Sequence, residues 1–219
     1  MFVVGAIGVL RPAVVLGLTV LLAVLAQAEL RVAARELVTL FAPSRASSAA
    51  EARWAALPRA LLTVLVLLLI AAALAPPTEW DSLAYHLRVP LFFLERGRIA
   101  LPPDSFHVAL VGASHLSTLP LLAAGFLVGP ALMQVAALVL TLMGTMALAR
   151  AAGAARFGRW LAAAAVLGCP VFVLVAMTAR VDVTLVLVLL AAHLVLLEAD
   201  DDSSARLLPV AAVLIGTAM

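Results

Sequence analysis

The sequence has no lysine, a single cysteine and few charges of either sign. Each scarcity excludes something. One cysteine, Cys169, makes neither an internal disulfide nor a thiolate metal site. Within its apolar run it is expected to be a small packing residue. The 14 basic residues are all arginine and stand against 12 acidic ones; the net charge of +2 is too small to point to a nucleic-acid partner. The missing lysines, beside abundant Ala, Leu, Val and Arg, read as a coding bias rather than a functional signal. No Walker loop, GxGxxG, HExxH or GxSxG string is present, so the sequence carries none of those nucleotide, zinc-protease or serine-hydrolase signatures.

What the chain has is apolar surface. Hydrophobic residues fill 66% of 219 positions, charged residues 12%, and the mean hydropathy is +1.21. A soluble domain carries about 45–50% apolar and about 25% charged residues. A chain this apolar cannot cover its surface in water, whereas lipid accepts such a surface as it stands. The fold class expected is therefore all-α: a polytopic transmembrane helical bundle.

A span needs roughly 20 apolar residues. Five stretches approach that length, at residues 12–28, 60–75, 130–149, 160–178 and 183–198. A sixth begins near residue 207 and runs to 219, giving about five to six spans. Residues 1–10 are apolar without a basic n-region and are cut by Arg11-Pro12, which does not fit a signal peptide. The expected organisation is an N-terminal span and cytoplasmic linker over 1–59, then a transmembrane core over 60–219. Because the last stretch is short, the chain reads as the N-terminal part of a longer protein.

Arginine placement orients the spans. Residues 29–59 hold Arg31, Arg35, Arg45, Arg53 and Arg59, and residues 150–159 hold Arg150, Arg156 and Arg159. Both connections are expected in the cytoplasm. The connection 76–115 then lies outside, which leaves room for only one crossing before Arg150. Residues 116–128 are accordingly expected not to span. The short connection at Arg180–Asp182 is outside again.

The outer connection 76–115 is where chemistry is expected. Pro76-Pro77 ends the preceding span. Trp80, Leu83, Leu87, Leu91 and Leu94 then recur at three and four residues, and Asp81, Tyr85 and Arg88 share another face. The pattern predicts a helix lying along the membrane surface, with a kink or break at Pro90. A carboxylate at that depth becomes more basic by partial desolvation and suits a general base for an acceptor hydroxyl. Arg88, Arg96 and Arg98 are candidates to hold a phosphate, because guanidinium forks match its oxygens. The plainer alternative for Asp81 is a solvated residue in the first turn of an interfacial helix. Asp182 has two readings of the same kind, a site acid or one half of a local Arg180–Asp182 pair at a helix end.

Three histidines, His86, His107 and His115, share the outer connection. Asp81, His86 and Asp182 together have the donor types for a divalent cation, although no spacing forms a metal signature. His193, inside an apolar span, is expected to pack and hydrogen-bond between helices.

Two strings carry a family resemblance: Trp80-Asp81-Ser82-Leu83-Ala84-Tyr85-His86-Leu87, and Leu94-Glu95-Arg96-Gly97-Arg98-Ile99. They resemble the first periplasmic loop of GT-C-fold membrane glycosyltransferases, closest to the protein mannosyltransferases and lipid A aminoarabinose transferases (family 39-like). The layout is similar too, with Asp81 after the first core span and Asp182 after the Pro-containing span at Cys169-Pro170. The resemblance covers roughly residues 76–198. It implies a polyprenyl-phosphate sugar as donor and a lipid, glycan or protein acceptor on the extracytoplasmic side of the inner membrane. It assigns Asp81 the role of base or acceptor-positioning group and Asp182 that of a second site acid. Glu79, Tyr85, His86, Arg88, Arg96 and Arg98 are the residues expected around the substrate. The rival reading is a non-catalytic membrane subunit or a transporter fragment.

Overall fold

The computed structural model describes residues 1–41, 49–100, 113–199 and 204–218. Among them all regular structure is helical. In chain order the helices are α1 (Phe2–Ala6), α2 (Pro12–Leu25), α3 (Gln27–Phe41), α4 (Ala49–Ala73), a π-helical turn (Ser82–His86), α5 (Arg88–Arg96), α6 (Ala113–Leu116), α7 (Leu119–Ala123), α8 (Gly129–Ala151), α9 (Arg156–Leu167), α10 (Pro170–Ala176), α11 (Asp182–Glu198) and α12 (Ser204–Ala218).

Among the described residues two helical segments are long and apolar enough to cross a membrane, Ala56–Ala73 within α4 and the whole of α8. Counting α9 and α10 as one span makes three. The expected span at 160–178 is thus not a straight helix. It breaks before Pro170, whose ring and missing N–H cannot continue the preceding helix, and its halves meet at 74°. The expected span at 12–28 stops at Leu25 after 14 residues. At 1.5 Å per residue that is about 21 Å, short of a hydrocarbon core of roughly 30 Å. Helix α11 has 17 residues. Residues 116–128 form no spanning helix, as expected; α6 and α7 are four and five residues long, and the chain then turns at Gly125.

Helix α8 is the centre of the bundle. It is apolar on every side, the pattern of a helix surrounded by protein or lipid, and it packs against α4, α9, α10 and α11. Leu62 and Leu69 of α4, Val135, Leu138 and Leu142 of α8, Ala163 of α9, Ala176 of α10 and Val183 of α11 form one buried cluster. The buried amide of Gln134 on α8 fastens the start of α11. Its Nε2 donates to Thr184 Oγ1 at 2.8 Å, and its Oε1 accepts from the Thr184 backbone N–H at 3.1 Å. That N–H belongs to the first turn of α11 and has no partner within its own helix.

A second cluster lies at one end of the bundle. Leu10 and Val15 from the N-terminal segment meet Val89 and Phe93 of α5, Leu116 of α6 and Leu119 of α7. Backbone bonds fasten the two chain segments, from Leu10 N–H to Gly97 O at 2.7 Å and from Ile99 N–H to Gly5 O at 3.1 Å. The start of α2 therefore lies at the same end as the C-terminal end of α4.

The chain after α4 is helical from Trp80 to Arg96, but not in one register. The Leu87 N–H bonds to Ser82 O at 2.9 Å, five residues back, which defines the π turn. The irregularity sits there and not at Pro90. Pro90 falls in the first turn of α5, where a missing N–H costs nothing. The wider turn also re-aims the side chains. Trp80 and Leu83 are exposed, whereas Ser82, His86, Val89 and Phe93 are buried. Of the expected apolar stripe, Trp80 and Leu83 stay on the outside of the fold and Leu87 is buried. Helix α5 ends at Gly97, whose left-handed backbone (φ 67°) favours glycine.

Candidate functional site

The acids of the first connection are gathered by one arginine from far along the chain. Arg180 lies between α10 and α11. Its Nε donates to Glu79 Oε1 at 2.7 Å. Its Nη2 forms ion pairs with both Glu79 and Asp81. Ser82 Oγ donates to Glu79 Oε2 at 2.9 Å and closes the turn locally. The three charged side chains are 27–32% exposed, so water screens the ion pairs in part.

Asp182 follows two residues later as the first residue of α11. A carboxylate there meets the positive end of the helix dipole. Its charge acts on Arg180, Tyr85 and His115. The local Arg180–Asp182 pair that the sequence allows is not the one formed; the guanidinium hydrogen bonds go to Glu79 and Asp81.

These contacts set the protonation of the group. Burial pushes the Glu79 carboxyl up, but its hydrogen bonds from Arg180 and Ser82 outweigh burial and leave it below the usual value of 4.5. The Glu79 hydrogen bond leads the effects that raise Arg180, which stays a cation. Tyr85 is raised by burial and then by the charge of Asp81.

Tyr85 and His86 belong to the π turn itself. Their rings lie 4.1 Å apart between centroids. The other partner of His86 is His115 of α6. His86 Nδ1 and His115 Nε2 are 2.8 Å apart, and the rings are tilted by only 9°. Both residues are buried, His86 to 5% and His115 to 2% exposure. Burial, then the charge of Arg180, lowers the His86 pKa to about 4. Burial, then His86, lowers that of His115 to about 4 as well.

The remaining candidates lie apart. Arg88, Arg96 and Arg98 are exposed, and Arg96 rests its guanidinium 5.2 Å from the centre of the Phe92 ring. Among the described residues no ion pair joins these three to the acids. Nor do three His, Cys, Asp or Glu side chains converge there to hold a metal ion. The combination Asp81, His86 and Asp182 is not assembled as a ligand set, because Asp81 faces Arg180 and His86 faces His115. His107 lies outside the described residues. His193 and Cys169 are exposed instead of packed. A helix turned toward lipid exposes such side chains without placing them in water.

Sequence reasoning missed Arg180 and His115 as parts of the site. For Arg180 no signal existed, since no spacing rule links it to Glu79 and Asp81 about a hundred positions earlier. For His115 the only signal was its place in the same connection as His86.

Two clefts flank Glu79. One, of about 180 Å³, runs between the C-terminal end of α4 and Leu127, Val128 and Ala131. The other, of about 350 Å³, has Glu79 and Arg180 at its head and Val171, Leu174, Val175 and Met177 along its wall. The second combines a charged end with a hydrocarbon wall, the shape of an amphiphile's site. No family model, curated protein or solved structure matches the chain.

Proposed function

We propose that the chain is the loop-bearing part of a GT-C-type membrane glycosyltransferase. In this reading it is a multi-pass protein of the inner membrane with five to six spans. The Trp80–Leu94 segment lies at the extracytoplasmic surface. The exposure of Trp80 and Leu83 supports an interfacial position, since such side chains favour the headgroup level.

The reaction is transfer of a sugar from a polyprenyl-phosphate donor to an acceptor hydroxyl. The hydroxyl oxygen bonds to C1 while the C1–O bond to phosphate breaks. The hydroxyl proton passes to Asp81, and the polyprenyl phosphate leaves with the bonding electrons. Asp182 is the second acid at the site. Glu79, Tyr85 and His86 line the acceptor side, and Arg88, Arg96 or Arg98 meets the phosphate. The single observation that carries this reading is the Arg180 clamp: it pairs with both Glu79 and Asp81, and Arg180 and Glu79 stand at the head of a cleft walled by α10. Held charges lower a barrier because they need not reorganise as the reaction proceeds.

The test is transfer of radiolabelled sugar from polyprenyl-phosphate donors, in membranes carrying the wild type or Asp81→Asn at equal expression. Loss of transfer in the variant supports the reading. Full transfer by an inserted Asp81→Asn protein refutes the base role.

One observation favours a second reading. The 74° break between α9 and α10 is of the kind that transporters use to build substrate sites. Uptake of a solute by the reconstituted protein, with no sugar transfer, would establish that reading in place of the first.

A further inference from the structure

Glycosyl transfer gives no reason for the buried contact between the two stacked histidines. We propose that His86 and His115 form an acid-opened latch: two neutral imidazoles that fasten the turn carrying Asp81 and Tyr85 to α6, and that release it once both rings are protonated.

The geometry carries the argument. A nitrogen–nitrogen separation of 2.8 Å holds one proton, donated by one ring and accepted by the other. If both facing nitrogens were protonated, two donors would meet and the bond would be lost. The pair is also a polar link between two parts of the chain 29 residues apart. On the α6 side the latch is anchored, because Thr118 Oγ donates to the His115 carbonyl at 2.7 Å. On the other side His86 is the last residue of the π turn, a wider and less regular winding than an α-helical one. His115 Nδ1 is buried and has no hydrogen-bond partner, so a proton added there finds no acceptor.

The surroundings do not rescue the charged form. Glu79 and Asp81 favour a cation at His86, but Arg180 opposes it and burial opposes it more. Asp182 favours a cation at His115, and is outweighed by burial and by His86. Tyr85, a further titratable neighbour among the described residues, is neutral at these pH values. The residues of α7, of α2 and of α12 from Leu207 to Gly216 bring no titratable group. Arg88, Glu95 and Arg96 of α5 are exposed.

The sign follows from the lowered values. A histidine released from the pair regains its ordinary pKa of 6.5, while the docked ones stay neutral to about 4. Docking is at full strength above 6.5. Between 6.5 and 4 the released form takes up protons that the docked form refuses. The docking equilibrium then weakens about tenfold per pH unit for each imidazole involved.

The inference does not rest on glycosyl transfer, since its readouts report on the fold alone. The experiment is imidazole ¹⁵N NMR of the full chain in detergent micelles, with His107→Gln and His193→Gln assigning the pair by elimination. It is joined to hydrogen exchange of the amides of residues 82–93 between pH 7 and 4.5, corrected for intrinsic rates. The expected result has two parts. The His86 and His115 rings are both neutral at pH 6, and the exchange of 82–93 accelerates at least tenfold per pH unit below it. A His86→Leu/His115→Leu protein loses that dependence; if it does not fold, the wild-type data decide. Independent titration of either ring near 6.5 in the folded protein, or exchange indifferent to pH, would overturn the latch.

Discussion

Arg180 forms an ion pair with Asp81 across 99 residues of sequence, and the same guanidinium holds Glu79. The contact joins the connection after α4 to the connection before α11. It is what turns two separate acidic segments into one site.

Removing that arginine is expected to cost little stability. The charges are 27–32% exposed and partly screened, and ion pairs of this kind contribute about 1 kcal/mol or less. Thermal unfolding of Arg180→Gln in detergent is expected to lie within a few degrees of wild type, with a gap that narrows as salt is added. A collapse of the fold would show that the clamp is structural and not a device for holding the acids.

Gln134 is a different case, being fully buried. Gln134→Leu keeps the shape but leaves the Thr184 N–H and hydroxyl without their partner. A loss of about 1–2 kcal/mol is expected, because hydrogen bonds between membrane helices are of that order at most. Gln134→Glu keeps the acceptor for the N–H but not the amide donor, and is expected to fall between. Thermal unfolding of the three proteins side by side checks the order.

Gly144 sets the approach of α8 to α11. A Cβ built there lies 2.8 Å from Leu190 Cδ2, the tip of a flexible side chain. Gly144→Ala is therefore expected to be absorbed by rotation of Leu190. Gly144→Leu must separate the helices and is expected to cost about 1–3 kcal/mol. Equal stability of the leucine variant and wild type would contradict the close packing.

Stability is expected to fall with acid in two windows. The first spans 6.5 to about 4, where the lowered histidines lose ground to their released forms; the loss is on the order of 3 kcal/mol for each histidine. The second opens below 4.5, the ordinary value of Glu79. Its depressed carboxyl contributes above 4.5, and that contribution disappears as pH falls through the folded value. His86→Leu/His115→Leu removes the first window and leaves the second, a distinction that pH-dependent unfolding curves resolve.

The all-helical fold and its two to three long apolar helices were legible in the sequence, because composition and run length carry that signal. The non-spanning character of 116–128 was legible too, from arginine parity. The local winding was not. Trp80, Leu83 and Leu87 keep an α-helical spacing, yet only Leu87 of the three is buried, and the π turn buries Ser82, His86, Val89 and Phe93 beside it. A π turn arises from tertiary fit and leaves no period to read. Proline drew attention to position 90, although a proline in a first turn breaks nothing. Asp81 and Asp182 were visible as costly charges between apolar runs. Their common neighbour Arg180 and the His86–His115 contact were not, because no spacing rule links residues 99 or 29 positions apart.

The central claim is that Asp81 and Arg180 act as one unit in group transfer, and a double-variant cycle tests it most directly. Initial rates of sugar transfer from a polyprenyl-phosphate donor would be measured for wild type, Asp81→Asn, Arg180→Gln and the double variant, at equal membrane insertion. The account predicts at least a hundredfold loss for Asp81→Asn, a loss of about tenfold or more for Arg180→Gln, and a double variant no slower than Asp81→Asn alone. Losses that multiply would contradict it, as would undiminished transfer by Asp81→Asn.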